Sequence, residues 1–427
     1  MLVWLSVLLL AAVLLAGTGV WVAFGILGRT PVELIDYTKR RLDGHPSLEL
    51  FSLPVLNRLR ALLADQSEAE WALPFAVPAL PPNPMQPAVG SAEDDPRVIR
   101  VGPTRAITRI AVAAQMAQDG SVIEIDPGDY VADVAVWERA DLTIRGLGNR
   151  VRLVAGGTNA EGKGTWVFRS PRATVENIEF VNAKASDRNG AGIRLERGRL
   201  LVRRCSFWAS QNGLMTSGEP DTQLEVEESE FGYNGGGDGI THGLYVGAID
   251  SLRVRGSYFH HGNVGHLLKS RAKYNRIEYN RFTDEAGGRS SYEIEFPNGG
   301  VAEVVGNIVQ QGSGARNSII VSYGAEGYRW PRNELRFVHN TVVNDQRFGG
   351  SFLRVFPGAQ VVMLRNNLLV GPGKVDGSSV LDAAGDRAAE WDELVRPARE
   401  DYRVSAAART AWASQPLAPV DGALLPR

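Results

Sequence analysis

Residues 254–282, VRGSYFHHGNVGHLLKSRAKYNRIEYNRF, carry one six-residue pattern twice, at 254–259 and again at 277–282. An aliphatic residue opens the pattern, a small or amide residue takes the fourth place, and an aromatic or aliphatic residue takes the sixth. Outward from this stretch the pattern recurs as VENIEF, VRRCSF and VEESEF on the N-terminal side and as VVGNIV, FVHNTV and MLRNNL on the C-terminal side. The fourth column reads Ile178, Cys205, Ser229, Ser257, Asn280, Asn307, Asn340 and Asn366, with steps of 27, 24, 28, 23, 27, 33 and 26 residues. A repeat of about 20–50 residues is the signature of a solenoid, in which each unit buries its apolar face only against its neighbours. Each coil must pass through short strands and return above itself, so equivalent residues stack and the four asparagines should hydrogen-bond along the axis. Cys205, the single cysteine, then reads as a buried structural thiol. It leaves no partner for an internal disulfide and no cysteine-based zinc site.

Upstream, residues 98–130, VIRVGPTRAITRIAVAAQMAQDGSVIEIDPGDY, read as a strand, an amphipathic helix over about Ala106–Gln118 and an apolar strand ending in a turn. This opening resembles the capping helix and first coil of the pectate-lyase-like superfamily. The resemblance implies an all-β, right-handed parallel β-helix over residues 97–380 whose apolar end is covered by the helix. It also implies a setting of carbohydrate lyases, epimerases and hydrolases. Residues 381–427 are then a tail that packs on or caps the solenoid. The paired aspartates of polygalacturonases, the Asp-Pro-His-Asp signature of alginate C5-epimerases and the calcium-binding aspartates of pectate lyases have no counterpart here.

Residues 1–28 carry no charged side chain and suffice to cross a hydrocarbon core of about 30 Å. They are expected to form a transmembrane anchor; a cleaved signal peptide is the rival, but its basic start and small-x-small cleavage site are missing. Residues 29–77 read as a short juxtamembrane helical segment, and 78–96, with six prolines, as a stiff linker. Arg29, Lys39, Arg40 and Arg41 would hold this side in the cytoplasm by the positive-inside rule. The function expected of the solenoid instead places it outside the inner membrane, in the periplasm. With 46 Lys+Arg against 48 Asp+Glu, no basic field points to nucleic acid. Oligomeric state is open.

A second strand recurs as HGLYVG from His242, HLLKSR from His266 and YEIEFP from Tyr292. With Leu244, Leu268 and Ile294 inward, the period of two sends Tyr245, Lys269 and Glu295 outward, stacked at about 4.8 Å. Arg271 follows on the same face. Four of the six histidines, His242, His260, His261 and His266, fall in this window. These residues suit removal of the C5 proton of a uronic acid, a weak carbon acid whose carboxylate must be neutralised. Lys269 and Arg271 are the expected neutralisers, His242 or His266 the base, and Tyr245 the acid toward the leaving oxygen. Asp238, His260, His261, Tyr292, Glu293 and Glu295 are expected to contact the sugar. Lyase and C5-epimerase outcomes both remain open. A hydrolase using Asp238, Glu293 and Glu295 is a second class, and a non-catalytic polysaccharide-binding or assembly protein a third. Metal use is undetermined; stacked His242 and His266 could form part of a site.

Overall fold

The computed structural model describes residues 55, 95–148, 151–377, 381–412 and 417–421. The expected anchor, the juxtamembrane segment apart from Val55, and the linker up to residue 94 lie outside the described residues. Among the described residues no helix is long and apolar enough to cross a membrane.

Three parallel sheets dominate the unit Pro81–Arg427, with twelve, eleven and ten strands among the described residues. A typical coil runs Arg172–Glu176 in sheet 1, Glu179–Val181 in sheet 2 and Ala191–Leu195 in sheet 3, before Arg199–Arg203 pairs back onto Arg172–Glu176. About ten such coils wind right-handed, the sense that strand twist imposes on parallel crossovers. The last strand in register is Arg387–Ala389, so coiling extends beyond the expected boundary at 380.

The inward column of sheet 2 stacks Phe180, Phe207, Phe231, Phe259 and Phe282, with ring centroids 4.5–5.1 Å apart. In sheet 1 alternate residues such as Leu252 and Val254 are buried, while the intervening ones face water. That outer surface is an ion-paired ladder in which Arg253 bridges Glu225 and Glu278 and Arg276 bridges Glu278 and Glu303.

The amide column forms as expected, with one correction. Ser257 donates its backbone N–H to Asn280 Oδ1 at 2.8 Å, Asn280 to Asn307 at 2.9 Å, Asn307 to Asn340 at 3.0 Å and Asn340 to Asn367 at 2.9 Å. Asn367, not Asn366, is the ladder residue. The position before each ladder residue adopts a positive φ, as at Asn177, Arg204, Glu228, Tyr279, His339 and Asn366, and Asn366 therefore makes the turn. His339 belongs to this turn column and Cys205 to the ladder, where burial pushes its thiol up to about 12.

The helix Ile110–Met116 is shorter than the expected Ala106–Gln118. Its start is fixed from a distance, because the Asp133 carboxylate accepts the N–H groups of Ile110 at 2.7 Å and Ala111 at 2.9 Å. Ile110 and Ala113 join the core. In the C-terminal segment, Leu394 and Tyr402 of a short hairpin pack with Val343 and Val370 of sheet 2.

Candidate functional site

Register in sheet 3 pairs Tyr245 with Lys269, Lys269 with Glu295 and Glu295 with Ser322. Leu244, Leu268 and Ile294 point into the core at 0% exposure, so the outer column stands on three successive coils. Lys269 Nζ lies 2.9 Å from Glu295 Oε2 and 3.0 Å from Glu326 Oε1. Arg271 donates to the Tyr245 hydroxyl oxygen at 3.2 Å, to Asn298 Oδ1 at 2.5 Å and to Glu326 Oε2 at 2.7 Å. One carboxylate thus spans both cations. Partial burial works against ionisation of Glu326, yet Arg271 and Lys269 hold its pKa down to about 2. Burial likewise opposes the charge on Glu295, and His266 and Lys269 outweigh it to keep that carboxyl low.

His242 and His266 stack with ring centroids 4.5 Å apart, and Tyr292 meets His266 edge-on at 4.9 Å. Their Nδ1 atoms serve the backbone. The His266 N–H donates to His242 Nδ1 at 3.0 Å, and the Tyr292 N–H donates to His266 Nδ1 at 3.4 Å. A neutral imidazole whose Nδ1 accepts must carry its proton on Nε2. His266 Nε2 accordingly faces Glu295 Oε2 at 3.0 Å. Burial pushes both imidazoles below the usual histidine range, in His242 with help from the charges of His266, Lys269 and Arg271. Each therefore turns an N–H, not a lone pair, away from the backbone. This pair forms a second side-chain ladder, just before the strands Leu244–Val246 and Leu268–Ser270 of sheet 3.

The remaining expected residues lie in other surroundings. Asp238 Oδ1 accepts the N–H groups of Ile240 at 3.0 Å and Thr241 at 3.1 Å and the Thr241 hydroxyl at 2.8 Å, while Oδ2 lies 3.8 Å from Arg188 Nη1. Glu293 is 0% exposed, so its expected sugar contact fails for want of access. It accepts from Ser290 Oγ at 2.7 Å, and burial followed by the nearby Asp284 pushes its carboxyl well up. Glu295 is 3% exposed and held by His266 and Lys269, so its expected sugar contact is closed as well, and hydrolase chemistry through Asp238, Glu293 and Glu295 loses both glutamates. His260 and His261 belong to sheet 2 and the turn after it, beside Glu230 and Glu285. There, burial followed by the field of His260 lowers His261 to about 4, and burial followed by Glu400 and Glu230 raises Glu285 to about 7.

Glu326, Asn298 and Trp330 were not anticipated. They belong to the segments that follow strands Ile294–Phe296 and Ile319–Tyr323, and Trp330 Nε1 donates to the Arg271 carbonyl at 3.2 Å. The 33-residue step between Asn307 and Asn340, the longest in the series, was the available signal of an insertion.

Coils of three parallel sheets closed by stacked interior side chains define a right-handed parallel β-helix. No protein-family model and no curated protein matches the sequence. Among solved structures, pectate lyase Pel9A is similar at 12% identity and TM-score 0.46, covering 72% of this chain and 90% of that one. The pectin methylesterase from Aspergillus niger matches at 9% identity and TM-score 0.33, covering 71% of this chain and 92% of its own. The A-module of the Azotobacter vinelandii mannuronan C-5 epimerase AlgE6 matches at 11% identity and TM-score 0.30, covering 65% and 93%. Identities this low carry no residue of a known site onto this chain.

Proposed function

We propose that the outer face of sheet 3 binds a uronate-containing polysaccharide and acts on it by removing the C5 proton. The observation that carries this reading is the Glu326 carboxylate bridging Lys269 and Arg271 at 3.0 and 2.7 Å, because a sugar carboxylate asks for the same pair. In this reading Arg271 and Lys269 take the substrate carboxylate and stabilise the enolate-like intermediate. Tyr245 moves the proton, since its oxygen already accepts from Arg271 Nε and its own hydrogen is uncommitted. With its hydroxyl proton released to solvent, Tyr245 takes the C5 proton; elimination breaks the C4–O4 bond and passes that proton to O4, whereas epimerisation leaves it on Tyr245 and draws another from a water on the opposite face of C5. The expected histidine base is revised: with Nδ1 engaged by the backbone, His242 and His266 position the site, and His266 with Lys269 fixes Glu295. Anchorage by residues 1–28 in the inner membrane, with the solenoid in the periplasm, completes the proposal.

Binding without catalysis is the second reading, favoured by the absence of an imidazole lone pair on the outer side of His242 and His266. The two separate in one screen. Detergent-solubilised protein is incubated with pectate, alginate and other uronate polymers, following ultraviolet absorbance of the unsaturated product and C5 inversion by proton NMR. Neither signal, in the presence of measurable binding, would leave only the binding reading; loss of both binding and turnover would sink the proposal.

Glu326 occupies the position offered to substrate, so Glu326→Ala should raise apparent affinity for an anionic oligosaccharide about 3- to 10-fold. The pH dependence has a defined sign. With the carboxyl depressed to about 2, the Glu326 contact is complete above the ordinary carboxylate range and is lost only as pH falls toward 2. The gain on substitution should therefore be constant between pH 5 and 8, measured by titration calorimetry. Weaker binding in the variant would show that Glu326 supports the site.

A further inference from the structure

A second cluster lies on sheet 2, away from the Tyr245 column. His260 Nδ1 and His261 Nδ1 face each other at 2.7 Å. Only one proton fits between them, so at least one of these nitrogens presents a lone pair to the gap. Beyond the pair, His260 Nε2 is 3.2 Å from Glu230 Oε1 and His261 Nε2 is 3.9 Å from Glu285 Oε2. One donor atom each from His260, His261 and Glu285 fall within 4.8 Å of one another. Among the described residues neither Glu230 nor Glu285 pairs with a lysine or arginine, and Arg281 is taken by Glu400. Two imidazoles and two carboxylates thus converge without a cation.

The rings are held in advance. Tyr258 stacks on His260 at 4.5 Å, and Tyr233 stacks on His261 at 4.4 Å. Gly232 makes the notch that admits the His260 ring, since a Cβ there would come within 2.6 Å of its Cε1. His261 takes a φ of 49°, in the same turn column as Asn182, Ala209 and Tyr233 at 59°, 51° and 57°. The coil geometry therefore aims this imidazole.

We propose that His260, His261 and Glu285 form a binding site for a divalent transition ion of the zinc class, with Glu230 orienting His260. Two imidazoles and a carboxylate suit this ion, whose bonds of about 2.0–2.2 Å set ligand atoms roughly 3–3.5 Å apart. Side-chain rotations that close the 4.8 Å spread by about 1.3–1.8 Å and open the 2.7 Å gap between the two Nδ1 atoms by about half an ångström complete the set. Three protein ligands leave a fourth tetrahedral position for water, since Glu230 is engaged at the far nitrogen of His260. The ion supplies the positive charge that the two carboxylates lack and ties the turn after strand Tyr258–His260 to the next coil's loop at Glu285.

The test uses untagged, chelator-treated full-length protein titrated with zinc chloride, and with cobalt chloride for its visible absorption. One zinc ion per chain is expected, with Kd of roughly 10 µM or tighter and a higher thermal midpoint when it is bound. Cobalt should give the intense visible bands of four-coordination. Glu285→Gln, nearly isosteric and at a half-buried loop position, should weaken zinc at least about 10-fold with an unchanged far-ultraviolet circular dichroism spectrum. His261→Ala should abolish the cobalt bands, while His339→Ala, in a separate turn column, should leave them intact. Absence of stoichiometric binding at 1 mM zinc, or binding indifferent to both His261→Ala and Glu285→Gln, would overturn the proposal.

Discussion

Asn307→Ala is expected to destabilise the solenoid by roughly 3–5 kcal/mol, because two or more buried polar groups would lose their partner at about 1–3 kcal/mol each. Asn307 is 1% exposed. Its Oδ1 accepts the backbone N–H of Asn280 at 2.9 Å and the Asn280 side-chain amide at 3.1 Å. Its Nδ2 donates to the Ile277 carbonyl at 2.9 Å and to Asn340 Oδ1 at 3.0 Å. Alanine leaves the Asn280 amide and the Ile277 carbonyl without those bonds in a closed interior. Adjacent coils fold against one another, so the loss is felt by the whole array. Urea unfolding followed by circular dichroism should show a lower midpoint at unchanged m. Asn366→Ala, one residue from the corresponding rung, loses the bonds to Ala418 and places alanine at a φ of 58°, about 1 kcal/mol of strain, and should cost less than Asn307→Ala. A shift under about 1 kcal/mol for Asn307→Ala would mean that water replaces the ladder.

The repeat was legible because a coil obliges the chain to restate its pattern, and the alternation around Leu244, Leu268 and Ile294 set the outer column without ambiguity. The frame slipped by one at MLRNNL, where Asn366 and Asn367 adjoin and Met363 and Leu364 are both apolar. What decides between them is the left-handed turn residue before each rung, a backbone property that Asn, Arg, Glu, Tyr, His and Gly all satisfy here. The stacking of His242 on His266 was legible but its hydrogen bonding was not, for a related reason: the partners of both Nδ1 atoms are backbone N–H groups of the next coil, which every residue type but proline supplies. Glu293 misled because its spacing from Glu295 suggests one face, yet the turn encloses it with Ser290 and Asp284. Glu326 reaches Lys269 across 57 residues, and only the length of its coil hinted at the excursion.

Tyr245→Phe is expected to lower kcat on the proposed uronate substrate by about 10²–10⁴ with little change in KM, the range for loss of a positioned proton carrier. The ring keeps its stacking on His242, at 5.6 Å between centroids, so the fold should not register the change. Arg271→Ala should do more, losing about 10³-fold or more in kcat/KM, because this guanidinium touches both the Tyr245 oxygen at 3.2 Å and the bridging carboxylate at 2.7 Å. It is expected to raise KM as well as lower kcat, since the substrate carboxylate loses a partner before and during reaction. Arg271→Lys separates charge from geometry: an ammonium retains the field but lacks the fork that reaches tyrosine, asparagine and carboxylate together. It should restore most of the binding and little of the turnover. His266→Ala should cut both thermal stability and activity, as fits a ladder residue that also fixes Glu295, whereas Tyr245→Phe should cut activity alone. If Tyr245→Phe and Arg271→Ala both turn over the substrate at the parent rate, proton transfer occurs elsewhere on the solenoid and the bridged cation pair is a structural clamp closed by Glu326.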